Sequence, residues 1–252
     1  MKYIYKNILE ARANNQKLFA VLIDPDKMLI SEVSSFLEKV NSSITTHVFI
    51  GGSKVDERIT DLLVNEVKQH TKLPVVLFPG DVTQISKKAD AILFLSLISG
   101  RNPEYLIGKH VEAAPTLTAS NLEIIPTGYM LIENGKQTSV EKVTGTKPIP
   151  RTQINQIVNT AKAGELLGMK LIYLEAGSGA LHPVTSEIIR AVRNNLNIPL
   201  IVGGGIKDKI QLESAYNSGA DLVVIGTAFE EDASRIEQFK KQFAWIKLLS
   251  FY

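Results

Sequence analysis

Short apolar runs alternate with amphipathic stretches along most of the chain. Eight of these runs are rich in aliphatic residues and predict strands, at Leu18–Asp24, His47–Ile50, Val75–Phe78, Ala91–Leu95, Ile124–Ile132, Lys170–Glu175, Leu200–Val202 and Leu222–Ile225. The last two runs are apolar at every position, which is typical of parallel strands that are covered on both faces of a sheet. The pattern therefore favours buried parallel strands.

The segments between these runs have the spacing of amphipathic helices. Helices are predicted at Ile30–Val40, Asp56–Gln69, Pro103–Glu112, Thr152–Leu167, Thr185–Asn194, Lys209–Ser218 and Ser234–Leu248, and one more at about Tyr5–Ala13 precedes the first strand. Between Phe78 and Ala91 only Asp81–Lys88 is available, which allows about two helical turns. The third helix is therefore predicted to be short or irregular.

Eight strands with intervening helices in 252 residues predict an α/β protein that folds as a single (β/α)8 barrel domain over residues 1–252. A doubly wound open sheet is the structural alternative, because the third crossover is short. No shift in composition and no linker rich in Pro, Gly or Ser indicates a second domain. The longest polar segment, Glu133–Pro150, is expected to be a loop on the face where the strands end, either a solvated excursion or a cover over a site.

Composition narrows the class of protein further. The chain is 44% hydrophobic and 21% charged, as is usual for a soluble domain with a core. Its net charge of +2 and its lack of a basic block give no indication of nucleic-acid binding. It has no cysteine, which excludes disulfides, zinc–cysteine clusters and thiol catalysis and is compatible with a reducing compartment. Without a recognisable signal peptide or an apolar stretch near the ~20 residues of a membrane span, we expect a cytoplasmic protein with no transmembrane segment.

Three glycine-containing turns follow the last three predicted strands, at Gly177–Ala180, Gly203–Ile206 and Gly226–Ala228. Glycine lets successive backbone N–H groups converge on an oxyanion, and (β/α)8 barrels often hold a phosphate at the loops after strands seven and eight. Ser178 and Thr227 add hydroxyl groups, whereas no lysine or arginine lies within the turns. The pattern predicts a phosphate site in which backbone amides make most of the contacts.

Two carboxylates lie at the ends of predicted strands. Asp24 precedes Pro25, which favours an extended residue before it, and together with Ser53 after the neighbouring strand it offers oxygen ligands of the kind that suit Mg²⁺. The alternative is an Asp-Pro turn in which Asp24 caps the next helix. Glu175 ends the sixth strand with Tyr173 on the same face. Because a glutamate at the end of a buried strand is seldom structural unless it is paired, it is a candidate polar ligand or general base.

Six segments match a known family in order over nearly the whole chain, namely Leu22–Lys27, Gly51–Ser53, Ser99–Pro103, Tyr173–Ala180, Val202–Ile206 and Ile225–Thr227. Together they resemble the geranylgeranylglyceryl phosphate synthase family. The octapeptide Tyr173–Ala180 is the most specific of them, whereas the Gly-Gly-Gly-Ile segment is shared with many phosphate-binding barrels. Leu22 stands where a bacterial branch of that family has lysine, so the chain resembles the archaeal-type branch.

This resemblance implies a prenyltransferase that joins a polyprenyl diphosphate, expected to be geranylgeranyl diphosphate, to the sn-3 hydroxyl of sn-glycerol 1-phosphate. It implies Mg²⁺ bound by Asp24 and Ser53, with Glu175 as the catalytic group that orients the hydroxyl and accepts its proton. The residues implied to bind glycerol phosphate are Tyr173, Leu174, Glu175, Ala176, Gly177, Ser178, Gly179, Gly203, Gly204, Gly205, Gly226 and Thr227. It also implies a homo-oligomer, a dimer or larger, and leaves a transient contact with membranes open.

The isoprenoid chain needs an apolar groove, for which the candidates are Phe78, Phe94, Leu97, Ile98, Tyr105 and Tyr129, although core packing is the better interpretation of each. Two other functions are compatible with the glycine turns. A phosphate-binding barrel that acts as an isomerase or lyase explains the turns but gives no reason for Asp24 and Ser53. A non-catalytic phosphate-binding barrel gives no reason for Asp24 and Glu175. The sequence specifies neither the length of the prenyl chain nor the oligomeric state.

Overall fold

The computed structural model of the chain describes residues 3–52 and 58–240. Its strands are β1 Leu18–Ile23, β2 His47–Ile50, β3 Val75–Leu77, β4 Ala91–Leu97, β5 Glu123–Leu131, β6 Leu171–Glu175, β7 Leu200–Gly203 and β8 Leu222–Ile225. They form a closed barrel in sequence order, and every neighbouring pair is parallel. Because β8 pairs with β1, with Leu18 opposite Leu222, the predicted barrel is confirmed and the open sheet is wrong.

The helices are α1 Ile4–Ala13, α2 Val33–Ser42, α3 Ile59–His70, α4 Lys109–Thr118, α5 Ser139–Thr144, α6 Ile154–Leu166, α7 Ser186–Arg193, α8 Lys209–Asn217 and α9 Thr227–Glu231. A π-helical turn, Glu104–Gly108, leads into α4. The third crossover contains only the 3-10 turn Val82–Gln84, as its length predicts. The last predicted helix begins instead as 3-10 turns over Ala233–Phe239, and its residues after 240 lie outside the described part of the chain.

Alternation along the strands divides the core into two layers. Side chains such as Phe49, Leu93 and Tyr173 fill the barrel, whereas their strand neighbours pack against the surrounding helices. Helix α1 covers the end of the barrel where the strands begin, since its Ile4 and Ile8 belong to the inner layer. Glu123 at the start of β5 accepts the backbone N–H of Ile4 at 2.5 Å and so satisfies a donor at the start of α1. The opposite end of the barrel is left open for a site.

The polar segment Glu133–Pro150 is not a solvated excursion. It carries α5, and its Asn134, Thr138 and Ile149 are buried. Ile149 donates its backbone N–H to the carbonyl oxygen of Leu131 at 2.9 Å, so the segment returns to the end of β5. The polar composition of the segment suggests a solvated loop. The side chains of Asn134 and Thr138 are instead hydrogen-bonded within the fold, which removes most of the cost of burying them. No helix in the described ranges combines the length and the apolar composition needed to cross a bilayer.

Candidate active site

A cavity of about 270 Å³ opens at the carboxyl ends of the strands. Its polar lining comes mainly from the ends of β1, β6, β7 and β8, and its aromatic and aliphatic lining from the segments between the end of β3 and α5; we call these the polar and the apolar half. The polar half includes Asp24, Lys136, Glu175, Ser178, Gly179, Gly204, Gly205, Gly226, Thr227 and Glu230, and the apolar half includes Phe78, Val82, Ile85, Phe94, Tyr105, Ala113, Tyr129, Val140 and Val143. This location agrees with the position of active sites in (β/α)8 enzymes.

Glu175 lies at the boundary between the two halves. It ends β6, is only 6% exposed, and accepts the backbone N–H of Gly177 on Oε1 at 2.5 Å. Burial raises the pKa of Glu175 to about 7, although hydrogen bonds from Gly177 and from the Tyr173 hydroxyl favour the ionised form. A carboxyl group with a pKa near the operating pH can both accept and return a proton, which is the requirement for a general base.

The backbone of Gly204 allows this carboxylate to sit beside the glycine turns. Gly204 has φ of +80° and Gly205 has φ of +72°, a left-handed conformation that favours glycine. A Cβ on Gly204 would lie 2.6 Å from the backbone nitrogen of Gly177 and 2.9 Å from that of Ala176, and closer still to Oε1 of Glu175. The turn after β7 and the carboxyl group of β6 therefore fit together only with glycine at this position.

The turns after β6 and β8 meet at two hydroxyl groups. Oγ of Ser178 and Oγ1 of Thr227 are 2.8 Å apart, and both side chains line the cavity beside Gly204 and Gly226. The structure therefore brings together the three glycine-containing turns that the sequence singles out. Left-handed glycines and adjacent hydroxyls that line a cavity are features that suit an oxyanion.

Asp24 follows β1 and faces the same cavity from another side. Its Oδ1 accepts the backbone N–H of Asp26 at 3.1 Å, so the turn expected at Pro25 forms, but the carboxylate still lines the cavity. A Cβ on Gly52 would lie 2.9 Å from Cγ of Asp24, so glycine at this position lets the carboxylate pack closely against the backbone after β2. Ser53, its predicted partner, lies outside the described residues.

A lysine connects Asp24 to a second carboxylate that the sequence does not single out. Nζ of Lys27 is 2.8 Å from Oε2 of Glu230 and 3.4 Å from Oδ2 of Asp24. Burial alone lowers the pKa of Lys27, but the contacts with Glu230 and Asp24 outweigh it and raise the pKa. Lys27 is therefore positively charged, and it pairs with two carboxylates that line the cavity.

Three aromatic rings that line the cavity pack against one another. The centroids of Phe78 and Tyr173 are 5.1 Å apart with nearly parallel rings, and Tyr129 meets Phe78 at 5.7 Å and Tyr173 at 5.5 Å. Burial, together with the nearby Glu175, raises the pKa values of both tyrosines. The tyrosines therefore stay protonated, and the aromatic cluster lies next to the candidate base.

A family model described as the PcrB family matches residues 8–243 of the chain. The chain belongs to the PcrB family. A relative of this PcrB chain from Flavobacterium johnsoniae, named geranylgeranylglyceryl phosphate synthase, is 56% identical over 230 residues, which cover 91% of this chain and 95% of the relative. A protein of the same name from Thermococcus gammatolerans is 40% identical over 242 residues, covering 96% and 93%. The family predicted from the motifs is confirmed, with archaeal as well as bacterial relatives.

Solved structures agree with this assignment to the PcrB family. The crystal structure of (S)-3-O-geranylgeranylglyceryl phosphate synthase from Thermoplasma acidophilum in complex with its substrate sn-glycerol-1-phosphate superposes with a TM-score of 0.89. It is 34% identical and covers 95% of this chain, which in turn covers 96% of that one. A tryptophan synthase α-subunit from Pyrococcus furiosus, with a TM-score of 0.56 and 13% identity, shows the barrel fold alone.

Two of the predicted binding residues of the PcrB chain do not direct their side chains to the cavity. Leu174 and Ala176 belong to the layer between the barrel and the helices, because they alternate with Tyr173 and Glu175 along β6 and beyond. Gly177 supports the carboxylate of Glu175 by its N–H group. Among the groove candidates Ile98 also packs in this outer layer, whereas Phe78, Phe94, Leu97, Tyr105 and Tyr129 line the cavity.

Besides Glu230, the structure adds two residues to the PcrB site that the motifs do not reveal. Gln84, in the short third crossover, is 1% exposed; its Nε2 donates to the carbonyl of Gly52 at 2.7 Å and its Oε1 accepts the N–H of Gly80 at 3.2 Å. It thereby fixes the strand ends next to Asp24. Lys136 reaches the cavity from the segment after β5. Neither residue lies in a recognisable motif, and only the fold brings them to the site.

Proposed function

We propose that the protein transfers a polyprenyl chain, expected to be geranylgeranyl, from its diphosphate to the sn-3 hydroxyl of sn-glycerol 1-phosphate. The products are an ether-linked prenylglyceryl phosphate and diphosphate. The observation that carries the proposal is the position of Glu175, a buried carboxyl group with a pKa of about 7 between a glycine-rich anion surface and an apolar groove. The name that the curated relatives share, and the sn-glycerol-1-phosphate bound to the Thermoplasma acidophilum enzyme, support it.

The glycine turns suit the phosphate of the acceptor. With its phosphate against Gly204, Gly226 and Thr227, a three-carbon alcohol reaches from the turns towards the carboxylate of Glu175, which contacts the Gly204 backbone. Backbone amides in a nest hold an anion without moving. The acceptor hydroxyl is thereby oriented before the bond forms, which is a major source of rate enhancement in reactions of two substrates.

The chemical step forms one bond and breaks one. The acceptor oxygen bonds to C1 of the prenyl chain, the bond from C1 to the diphosphate oxygen breaks, and the carboxylate of Glu175 takes the hydroxyl proton. The bonding electrons of the broken bond leave with the diphosphate. Positive charge that develops on the allylic carbon lies next to the rings of Phe78, Tyr129 and Tyr173, whose faces attract cations.

The apolar half of the cavity suits the hydrocarbon tail. It runs between the turn Val82–Gln84 and helix α4, where Val82, Ile85 and Ala113 contribute to its walls. A regular third helix would occupy the space over β3 and β4, and the short crossover leaves that space to a ligand. Burial of each methylene group contributes about 0.8 kcal/mol to binding, so a long isoprenoid chain is favoured over a short one.

Asp24 and Ser53 would hold the Mg²⁺ that such a donor requires. The described residues contain no cluster of three or more acidic, histidine or cysteine side chains that could hold a metal, but Mg²⁺ commonly uses one or two protein oxygens and completes its shell with water and phosphate. The carboxylate of Asp24, which lines the cavity next to the backbone of Gly52, fits such a site. When bound, the ion supplies charge to neutralise the leaving diphosphate. The role of Ser53 stays a prediction.

Asp24→Asn is expected to raise the Mg²⁺ concentration for half-maximal activity about tenfold or more, because a neutral amide replaces the carboxylate ligand. Calorimetric titration of Mg²⁺ in the presence of inorganic diphosphate should show the same weakening without turnover. Asp26→Asn is the matched control, since Asp26 is exposed and does not line the cavity. Equal Mg²⁺ dependence of Asp24→Asn and the unaltered protein would show that Asp24 is not a ligand.

The function itself is tested by offering glycerol 1-phosphate or glycerol 3-phosphate with prenyl diphosphates of several lengths, with and without Mg²⁺, and weighing the products. We expect an ether-linked product only with glycerol 1-phosphate, a prenyl diphosphate and Mg²⁺ together. Metal-independent rearrangement of a phosphorylated metabolite, with no ether product, would favour the isomerase alternative. The homo-oligomeric state and the cytoplasmic location are proposals that stand apart from this test.

A further inference from the structure

Lys136 occupies the mouth of the cavity next to the glycine turns. Its side chain is exposed to solvent and lines the cavity, and its Nζ lies 3.1 Å from the point where a Cβ on Gly179 would stand. Cγ2 of Thr227 is 4.0 Å from the same point. The ammonium group is therefore adjacent to the turns after both β6 and β8.

The backbone of Lys136 is fixed by a buried side chain. Asn134 is 1% exposed; its Oδ1 accepts the N–H of Lys136 at 3.1 Å, and its Nδ2 donates to the carbonyl of Ala176. The buried Thr138 packs its side chain against Gly177. The segment that carries Lys136 is thus attached to the turn after β6 at two places, so the fold fixes the backbone of Lys136 beside the turns.

The ammonium group of Lys136 differs in its surroundings from Lys27 and Lys109, two other lysines near the cavity. Lys27 is paired with Glu230 at 2.8 Å, and Lys109 lies 3.1 Å from both Asp81 and Glu112. Among residues 3–52 and 58–240, no carboxylate forms an ion pair with Lys136. A cation held at a cavity mouth without a protein anion is available to a ligand anion.

The charges of the polar half favour a cation beside the glycine turns, because Lys27 is already paired with Asp24 and Glu230. A phosphate monoester carries about −1.5 to −2 charges at pH 7, and it would enter a site that already contains Asp24, Glu175 and Glu230. Backbone amides direct partial positive charge at the anion but add no net charge. A lysine ammonium is a compact point charge with three donors, which is suited to a phosphate whose oxygens face several directions.

We propose that Lys136 binds the phosphate of the acceptor and selects phosphorylated over uncharged alcohols. The inference rests on the proposed function, because it assigns the ligand of the glycine turns as a phosphate monoester. It also explains why the turns themselves can lack lysine and arginine: the cation comes from the segment after β5. Lys207 also lines the cavity and directly follows the turn after β7, so it serves as a comparison.

Lys136→Gln is expected to weaken the binding of glycerol 1-phosphate about tenfold, since a charge-assisted hydrogen bond is lost at a solvent-exposed position. The measurements are calorimetric titration with glycerol 1-phosphate alone, inhibition by inorganic phosphate, and the KM for glycerol 1-phosphate. We expect KM and the inhibition constant to rise together while kcat changes less than threefold. Lys136→Arg should restore most of the affinity. Added salt should weaken the binding of glycerol 1-phosphate more in the unaltered protein than in Lys136→Gln.

Lys142→Gln is the matched control, because Lys142 lies in the same segment, is exposed and does not line the cavity. The inference is overturned if Lys136→Gln gives the same result as Lys142→Gln in all three measurements. It is also overturned if Lys207→Gln has a larger effect than Lys136→Gln. The proposed function fails separately: if the unaltered protein forms no ether product yet binds phosphate through Lys136, the assignment of Lys136 stands and the prenyl transfer does not.

Discussion

Glu175→Gln is expected to lower kcat about 10²–10⁴-fold, the usual contribution of a general base, while glycerol 1-phosphate still binds. The amide oxygen of glutamine can keep the hydrogen bond that Oε1 accepts from Gly177 at 2.5 Å, but it cannot take a proton from the acceptor. Steady-state kinetics at saturating substrates, with calorimetric titration of glycerol 1-phosphate, measure the two effects separately. A kcat within a few-fold of the unaltered protein would remove Glu175 from the chemical step.

The pH profile gives an independent test of the same carboxyl group. Burial raises the pKa of Glu175 to about 7, and the base acts only when ionised. We therefore expect kcat/KM to fall about tenfold per pH unit below that value and to level off above it. In Glu175→Gln this limb should disappear, and only a limb near pH 6 from the phosphate of the substrate itself should remain.

As the pH rises, the contribution of Glu175 to the stability of the fold should fall while the activity rises. The pKa of Glu175 is raised in the folded protein above its usual value of 4.5, so the native state binds the proton more tightly than the unfolded chain. The contribution to stability is fully present below about pH 4.5 and is lost as the pH rises through about 7. At pH 8 the buried charge costs up to about 3 kcal/mol. Chemical denaturation of Glu175→Gln at pH 8 should accordingly show equal or greater stability, which separates loss of the base from loss of the fold.

The sequence predicts those parts of the molecule in which the pattern of apolar and polar residues matches their burial in the folded protein. Leu222–Ile225 is apolar at every position because it is covered on both faces as β8. The glycine turns after β6 to β8 are visible because the backbone there needs conformations that other residues rarely adopt, as at Gly204. Glu175 is recognisable in the sequence because a glutamate is rarely buried at the end of such a strand unless it is paired.

The remaining parts of the site depend on contacts between distant segments. Lys136 lies in a polar stretch predicted as a loop and Gln84 in one predicted as a short or irregular helix. Neither shows its role until the barrel places its segment beside a turn or a strand end. Helix α5 is short, so its six residues give no clear period, and packing over the cavity stabilises it. Polar pattern alone cannot separate a solvated loop from one whose polar groups, such as Asn134, are bonded inside the fold.

Gly204→Ala is expected to lower kcat/KM roughly 10³-fold or more, because one methyl group disturbs both the base and the anion surface. The added Cβ would lie 2.6 Å from the nitrogen of Gly177, 2.9 Å from that of Ala176, and closer still to the carboxylate of Glu175. The first two neighbours are backbone atoms, so the turn itself must shift. Steady-state kinetics measure the loss in rate, and titration with glycerol 1-phosphate measures the loss in binding.

Gly168→Ala separates this collision from the general cost of alanine at positive φ. Gly168 has φ of +92°, similar to the +80° of Gly204, but a Cβ there would meet nothing within 4 Å. Both variants should lose about 1–2 kcal/mol of stability through the left-handed backbone, and only Gly204→Ala should also lose activity at temperatures where both stay folded. Equal activity of the two variants would mean that the contact of Gly204 with Glu175 and Gly177 does not position the reacting groups. The phosphate would then have to be held away from the turn after β7, and the chemistry assigned to this end of the barrel would not apply.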